Sequence, residues 1–408
     1  MSLLAPAGAD PAARLLVAGR ALRAFVDGYV AVLLPTYLLA LGLQAWAVGV
    51  LSTATLLGSA AATLGVGAWG HRFRSRNLLL GAALLMAGTG VAFASLQSFW
   101  PLLIVAFVGT LNPGSGDVSV FLPLEHSRLA GAAQGAARTT LFARYSLLAS
   151  MSAAFGALAA AVPAWLMAHA GLNEIAALRW MFIGYAGAGL VLYVLYRRLA
   201  HPHEHAPASA AAAPSAPLRE SRAIVIKLAA LFSVDSFAGG LVVNSLMALW
   251  LMQRFGLAPG ETGALLFATG LLAAASMWAA PWVAQRIGLL NTMVFTHIPA
   301  NVCLILAALA PNLPLALALL LVRSALSQMD VPTRSAFVMS VVTPVERAAA
   351  AGLTAVPRSL AAALSPSLGG ALFAAGWLAA PLLASGALKI AYDLTLWYAC
   401  RDHDLDAS

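Results

Sequence analysis

The feature that most constrains this chain is a succession of long apolar stretches, each about the length that a helix needs to cross a bilayer, roughly 20 residues. Hydrophobic residues make up 61% of the 408 residues and charged residues only 9%, whereas soluble domains carry about 25% charged residues. A soluble core of this size cannot hide so much apolar surface, so most of it must face lipid. Strands of a membrane barrel would instead alternate polar and apolar residues in ~10-residue segments. The sequence therefore predicts an all-α membrane protein.

The apolar stretches fall into two groups of six, separated by a linker. Residues 1–200 and 222–408 form two predicted six-helix bundles, and residues 201–221 are rich in Ala, Pro and Ser, a composition typical of linkers. The twelve predicted transmembrane helices cover residues 20–41, 45–69, 77–96, 100–121, 141–163, 177–196, 224–252, 261–284, 290–310, 313–333, 350–376 and 380–399.

The basic residues indicate the orientation of these helices. If both termini are cytoplasmic, nearly all of the 23 Lys and Arg residues lie on the cytoplasmic side, as the positive-inside rule requires. The exceptions are Arg179, Arg254, Arg323 and Lys389. We therefore expect a multi-pass protein of an inner or plasma membrane, embedded in the lipid bilayer. The net charge of +8 follows from this loop bias, so we expect no nucleic-acid partner.

The two halves also share polar residues at a nearly constant spacing of 214 positions. Polar and charged matches are informative because such residues are scarce here. The matched pairs are Arg72 with Arg286, Asn77 with Asn291, Arg144 with Arg358 and, at a spacing of 213, Asp117 with Asp330. Because each copy has six spans, the copies have the same orientation and are related by an axis along the membrane normal.

A short basic loop separates the second and third predicted spans. It contains Gly67, His71, Arg72, Arg74 and Arg76 and no acidic residue. The loop resembles the Gly-x-x-x-Asp-Arg-x-Gly-Arg-Arg/Lys motif of the major facilitator superfamily, with His71 in place of the Asp and Arg74 in place of the second Gly. The resemblance extends over essentially the whole chain, because the six-plus-six repeat also fits this family.

The resemblance implies the fold and the mechanism of that family. It implies alternating access to a central cavity that spans one, four, seven and ten line. In the family, the motif Asp is thought to pair with cationic groups of neighbouring helices and to stabilise the outward-open state. Since His71 replaces it here, another carboxylate must supply this contact, and we expect Asp117 to lie near Arg72. The wider cytoplasmic gate is predicted to comprise His71, Arg72, Asp117, Arg144, Arg286, Asp330 and Arg358.

Ionisable residues within membrane spans are costly and are therefore functional candidates. Asp27 and Asp235 lie at comparable depths in spans one and seven, and we predict that they carry protons. The alternative for each is an ion pair near the cytoplasmic end, with Arg23 for Asp27 or with a helix neighbour. Arg323 lies near the middle of span ten, where its charge requires an anion. That anion is either an anionic substrate or a carboxylate, Asp235 or Asp27.

Several other polar residues have two open interpretations. Tyr37, Asn112, Asn244 and Gln328 are candidates for substrate contact, and a helix–helix hydrogen bond is the alternative for each. His297 and Asn301 belong to a span that is usually peripheral in the family. Lys389 and Asp393 are four residues apart on one helical face, so we expect them to neutralise each other. Glu125 and Glu346 are expected to form salt bridges in the inner loops.

The sequence gives little support for cofactor chemistry. The linker residues His201, His203 and His205 are compatible with metal binding, but Pro202 and the surrounding Ala/Pro tract favour a solvated linker. No Gly-x-x-x-x-Gly-Lys-Ser/Thr loop is present, which argues against an ATP-driven pump. No hydrolytic constellation is recognisable, so we expect neither an enzyme nor a cofactor or metal.

The sequence therefore predicts a monomeric secondary transporter that exports a small solute in exchange for protons. One alternative is proton-coupled uptake, or facilitated diffusion, of a small and possibly anionic metabolite. The other alternative is a membrane receptor or scaffold that transports nothing, or an integral-membrane enzyme.

Overall fold

A computed structural model of the chain describes residues 10–114, 119–133, 135–199, 219–343 and 346–401. Within these ranges the regular structure is helical, in sixteen α-helices and two short 3₁₀ helices, Gly70–Arg72 and Ala159–Ala161. The helices of the first half are α1 (Pro11–Ala40), α2 (Ala45–Trp69), α3 (Ser75–Ser95), α4 (Phe99–Val108), α5 (Phe121–Ala132), α6 (Gly135–Leu158), α7 (Val162–Ala170) and α8 (Glu174–Arg197). Those of the second half are α9 (Arg222–Gly240), α10 (Asn244–Phe255), α11 (Pro259–Ile287), α12 (Leu289–Leu309), α13 (Leu313–Leu326), α14 (Asp330–Val341), α15 (Arg347–Ala374) and α16 (Ala380–Cys400).

Nine helical stretches in the described part of the chain are long and apolar enough to cross a membrane. Large apolar side chains on these helices are exposed, including Trp278 at 84% and Trp282 at 58%. Exposed apolar surface of this kind is stable against lipid and unfavourable in water. The predicted class, an all-α membrane protein, is confirmed. Helix α4 is apolar but shorter, and the full count of twelve spans remains a prediction.

Several predicted spans are shorter or interrupted in the structure. Helix α4 ends at Val108 instead of residue 121, because Gly109 takes an extended conformation and Pro113, just beyond it, has no N–H to continue a helix. The predicted span 224–252 is divided into α9 and α10, and the span 313–333 into α13 and α14. The predictions missed these breaks because apolar content alone does not distinguish a continuous helix from a broken one.

Contacts within the chain define two compact units. The first unit comprises residues 1–201 together with Val243–Gly270, and the second comprises Pro202–Val242 together with residues 271–408. Helix α10 and the start of α11 therefore belong to the first unit, where α10 packs against α1 and α2.

Small residues allow close helix packing in the first unit. Helix α1 lies against α6, α3 against α8, and α2 against α4. A Cβ atom at Gly28 of α1 would lie 2.1 Å from the carbonyl oxygen of Ala153 of α6, and one at Gly156 would lie 1.9 Å from that of Phe25. Both positions therefore require glycine, as is common where membrane helices approach closely.

The second unit repeats the same pairings. Helix α9 lies against α15 and α12 against α16, as α1 lies against α6 and α3 against α8. Its core contains Phe232, Met293, Phe337, Tyr392 and Leu396, which come from α9, α12, α14 and α16.

The helix boundaries repeat at the spacing that the polar residues predict. Helices α2, α3 and α4 begin at Ala45, Ser75 and Phe99, and α11, α12 and α13 begin 214 positions later at Pro259, Leu289 and Leu313. The predicted internal repeat is therefore present in the helices themselves.

Candidate functional site

The first unit contains a buried ion pair between Arg23 of α1 and Glu125 of α5. A guanidinium nitrogen of Arg23 lies 2.5 Å from a carboxylate oxygen of Glu125, and the side chains are 3% and 0% exposed. The hydroxyls of Tyr145 and Tyr196 donate further hydrogen bonds to the same carboxylate. Burying two charges is favourable only when the remaining lone pairs are satisfied, and the tyrosines of α6 and α8 fulfil this condition.

The same arginine makes two more contacts with the segment leading into α5. It donates a hydrogen bond of 3.3 Å to the Ser119 hydroxyl, and its guanidinium stacks on the Phe121 ring, 4.1 Å from the centroid. The prediction that Glu125 forms a salt bridge is confirmed. Its partner was not predicted, because Arg23 lies four residues before Asp27 and was assigned to that carboxylate.

Asp27 lies one helical turn beyond Arg23, in a narrow crevice. The crevice is lined by Arg23, Asp27, Met86, Thr110, Ser119, Phe121 and Tyr185. Asp27 is 7% exposed, and it forms no salt bridge or hydrogen bond with another residue in the described part of the chain. Arg23 pairs with Glu125. The Arg23–Asp27 salt bridge, which the sequence offered as the alternative to a proton-carrying role, is therefore not formed.

The second unit contains a larger buried network centred on Asp235 of α9. One oxygen of Asp235 accepts a hydrogen bond of 2.6 Å from the Lys389 ammonium of α16, and the other accepts one of 3.2 Å from Arg334 of α14. Arg334 also pairs with Asp330, one turn earlier on its own helix. Two carboxylates and two cations therefore balance each other among three helices.

This network corrects two predictions. Lys389 and Asp393 do not pair with each other, because Lys389 reaches Asp235 while Asp393 accepts from the His297 ring at 3.0 Å. Asp330, a predicted gate residue, pairs with Arg334, which was not among the predicted gate residues. The spacing of four residues does place Lys389 and Asp393 on one face of α16. Each side chain nevertheless pairs with a residue of another helix.

Arg323 of α13, which is half-buried, differs from the buried cations described above. It forms no salt bridge within the described residues of the second unit, and its Nε atom is buried without a hydrogen bond. The predicted partner Asp235 is occupied by Arg334 and Lys389. The requirement for an anion, inferred from the sequence, is therefore not met by that carboxylate.

The uncharged candidates for substrate contact lie in different parts of the structure. Tyr37 is fully buried and donates hydrogen bonds to the carbonyl oxygens of Phe93 and Leu96, at 2.6 and 3.3 Å. This is the helix–helix bond considered as the alternative to substrate contact. Asn112 is buried in the segment after α4, Asn244 begins α10, and Gln328 lies half-buried in the turn between α13 and α14.

The four arginines of the predicted gate have defined positions. Arg72 ends the first 3₁₀ helix and is exposed, Arg144 is half-buried on α6, and Arg358 is exposed on α15. Arg286 is also exposed, and its guanidinium stacks 3.9 Å from the Trp282 ring centroid. Asp117 and the side chain of His71 lie outside the described residues, so the predicted Arg72–Asp117 contact remains a prediction.

Glu346 holds the chain that enters α9. Its carboxylate accepts hydrogen bonds from the backbone N–H groups of Arg219 (2.6 Å), Glu220 (3.1 Å) and Ser221 (2.9 Å). These bonds favour the ionised form and lower the pKa of Glu346 from 4.5 to about 2. The predicted salt bridge of Glu346 is wrong, since its partners are backbone amides.

Among the residues that the structure describes, no three His, Cys, Asp or Glu side chains are arranged to hold a metal ion. The His201–His205 segment lies outside them.

Comparison with known proteins identifies the family. A sequence profile of the Major Facilitator Superfamily matches residues 16–327. The chain belongs to this family, as its loop motif predicts, and it is a multi-pass membrane protein. Membership of this family indicates a membrane solute transporter.

Individual proteins are similar over most of their length. An uncharacterized membrane protein of Saccharomyces cerevisiae, YJR124C, is 25% identical over 350 residues, which cover 78% of each chain. A bacterial homolog of the human lysosomal transporter Spinster superposes with a TM-score of 0.74 at 16% identity, covering 95% of this chain and 96% of the other. The nucleoside transporter NupG gives 0.70 at 14% identity, covering 94% and 98%. These solved structures support the major facilitator fold.

Proposed function

We propose that the protein is a proton-coupled secondary transporter that exports a small solute across an inner or plasma membrane by alternating access. The observation that best supports this function is the environment of Asp27. A buried carboxylate without an ion-pair partner is costly in a membrane protein and is usually retained for function. Its crevice contains hydroxyl groups of Thr110, Ser119 and Tyr185, which are suitable for receiving or delivering a proton.

Asp235 is the second proposed proton carrier, with a different mode of action. Both of its oxygens are engaged, so protonation requires the release of Lys389 or Arg334. Because these cations belong to α16 and α14, proton binding would change the contact of Asp235 with one of these two helices. This is the kind of local charge change that biases a two-state element.

Arg323 favours an anionic or polar substrate. A guanidinium binds carboxylate and phosphate groups through paired hydrogen bonds, and the Nε donor of Arg323 has no partner in the described residues. The second candidate function, proton-coupled uptake or facilitated diffusion of an anionic metabolite, is favoured by this same residue. A transport assay distinguishes the direction.

The test uses the purified chain in proteoliposomes, with a solute found by thermal-stabilisation screening of organic anions, since a bound ligand raises stability. An imposed pH gradient should drive accumulation of this solute. Asp27→Asn should reduce the accumulation at least tenfold while solute exchange across the membrane continues. Glu174→Gln, which removes an exposed carboxylate from the first turn of α8, should leave accumulation unchanged.

Three results would contradict this proposal. Full accumulation by both Asp27→Asn and Asp235→Asn would exclude these residues as proton carriers. Accumulation that is independent of the pH gradient would favour facilitated diffusion, and a complete lack of flux over the whole panel would favour a receptor or scaffold.

A further inference from the structure

Arginines converge at one end of the first unit, where α2 ends, α3 begins and α8 ends. Arg76, in the first turn of α3, donates a hydrogen bond of 2.6 Å to the carbonyl oxygen of Arg197 at the end of α8. Arg128 of α5 donates one of 2.9 Å to the hydroxyl of Ser75, the first residue of α3. Two guanidinium groups from different helices therefore flank the start of α3, and exposed Arg72 and Arg74 precede it.

Arg128 forms no salt bridge within the described part of the chain. Burial is the largest influence on the pKa of Arg128 and lowers it, and the charge of Arg76 lowers it further. Asp10 acts in the opposite direction to a smaller extent, without forming a salt bridge. An Nη atom of Arg128 is buried and has no hydrogen-bond partner, so one donor beside a second guanidinium is unsatisfied.

The start of α3 adds a further preference for an anion. Arg74 occupies the N-cap position of this 21-residue helix, and its side chain forms no capping hydrogen bond with the first N–H groups. The N-terminus of a helix has a partial positive charge and free N–H donors. A phosphate group at this position would meet the helix N-terminus together with Arg76 and Arg128.

Exposed aromatic side chains beside the arginines indicate where such an anion would come from. Trp69, at the end of α2, is 59% exposed, and Phe73 is 61% exposed. Aromatic residues are enriched where membrane proteins meet the lipid headgroups, and clustered arginines near such a boundary bind anionic lipids. A soluble anion would not explain the exposed Trp69 and Phe73.

We propose that Arg76, Arg128 and the N-terminus of α3 form a binding site for the phosphate group of an anionic phospholipid, with Trp69 and Phe73 in contact with the adjoining lipid. Arg72 and Arg74 add attraction at longer range. The site is independent of the proposed proton-coupled transport, because it contains neither Asp27 nor Asp235.

The test is native mass spectrometry of the full-length protein titrated with phosphatidylglycerol or with phosphatidylcholine of the same chain length. The unaltered protein should bind phosphatidylglycerol more tightly. Arg76→Gln combined with Arg128→Gln should weaken that binding about 30-fold, which corresponds to ~2 kcal/mol for two basic residues near a headgroup. Weak phosphatidylcholine binding should be unaffected.

The control removes two arginines that lie elsewhere in the chain. Arg254→Gln with Arg286→Gln deletes the same charge from side chains that stack on Phe255 and Trp282, and it should change phosphatidylglycerol affinity by less than threefold. If the double variant does not fold, Arg128→Gln is tested alone. This single substitution should weaken phosphatidylglycerol binding about fivefold. An equal loss in variant and control would overturn the site, because general charge would then explain the binding.

Competition with inorganic phosphate distinguishes the two possible sources of the anion, a phospholipid headgroup and free phosphate. Millimolar phosphate should displace little phosphatidylglycerol, because it lacks the acyl chains that would contact Trp69 and Phe73. If inorganic phosphate displaced phosphatidylglycerol at a concentration equal to that of the lipid, the lipid assignment would be overturned and the site would be a free-phosphate site. Equal affinities of the unaltered protein for phosphatidylglycerol and phosphatidylcholine would overturn the proposal as a whole.

Discussion

At the scale of single residues, Asp27 and Asp235 differ in what their carboxylates contact. Asp235 bridges Lys389 and Arg334, whereas Asp27 has no ion-pair partner among the described residues. Removing one member of a buried ion pair typically costs 3–5 kcal/mol, because it leaves an uncompensated charge. The two aspartates, although similar in sequence position, should therefore respond differently to the same substitution.

We expect Asp235→Asn to lower the free energy of unfolding by about 3 kcal/mol and Asp27→Asn to change it by less than about 1 kcal/mol. Denaturation of the purified protein in mixed micelles measures both values. Adding Lys389→Met to Asp235→Asn should restore part of the stability, since the buried ammonium is then also removed. Equal losses for the two single variants would contradict the difference in ion pairing.

At the scale of secondary-structure elements, Glu346 connects the loop before α15 to the start of α9. Its pKa is lowered from 4.5 to about 2 by the backbone N–H groups of residues 219–221. A group whose pKa is lowered on folding stabilises the protein fully above its unfolded pKa, and this contribution is lost as the pH falls through the folded value. The relevant window is therefore pH 4.5 down to about 2.

We expect the unaltered protein to be more thermostable than Glu346→Gln at pH 6. The ionised carboxylate of Glu346 is negatively charged and attracts the three N–H groups, whereas the amide of Gln is neutral. The difference in midpoint temperature between them should shrink below pH 4.5 and vanish near pH 2. Comparing the variants at each pH removes the contributions of other groups. A difference that stayed constant from pH 6 to pH 3 would contradict the assignment.

Much of the element level could be predicted from the sequence, and much of the site could not. The bounds of α2 and the repeat spacing followed from apolar runs and scarce polar residues. The pairing of Arg334 with Asp235 could not be predicted, since it depends on α14 reaching α9. The expectation for Lys389 and Asp393 was wrong because a spacing of four residues shows only that two side chains share a face.

At the scale of the whole molecule, the orientation in the membrane remains a prediction from the loop charges. In a variant with Cys303→Ser and Cys400→Ser, which removes both native cysteines, single cysteines can be placed at exposed loop positions. Gln97→Cys should react with a membrane-impermeant maleimide in intact cells, whereas Gln285→Cys should react only after permeabilisation. The reverse pattern would show that the termini lie outside, because the two positions are predicted on opposite sides.

The matching helix boundaries have an evolutionary consequence. The starts of α2, α3 and α4 recur at a distance of 214 positions, but the distance between the starts of α8 and α16 is only 206. Such a pattern is expected if an ancestral six-helix gene was duplicated and the copies later diverged in length. The change falls between α4 and α8, the region in which the first copy has the extra short helix α7 while the second has the continuous α15. Homologues that diverged soon after the duplication should retain an equal length in both copies there.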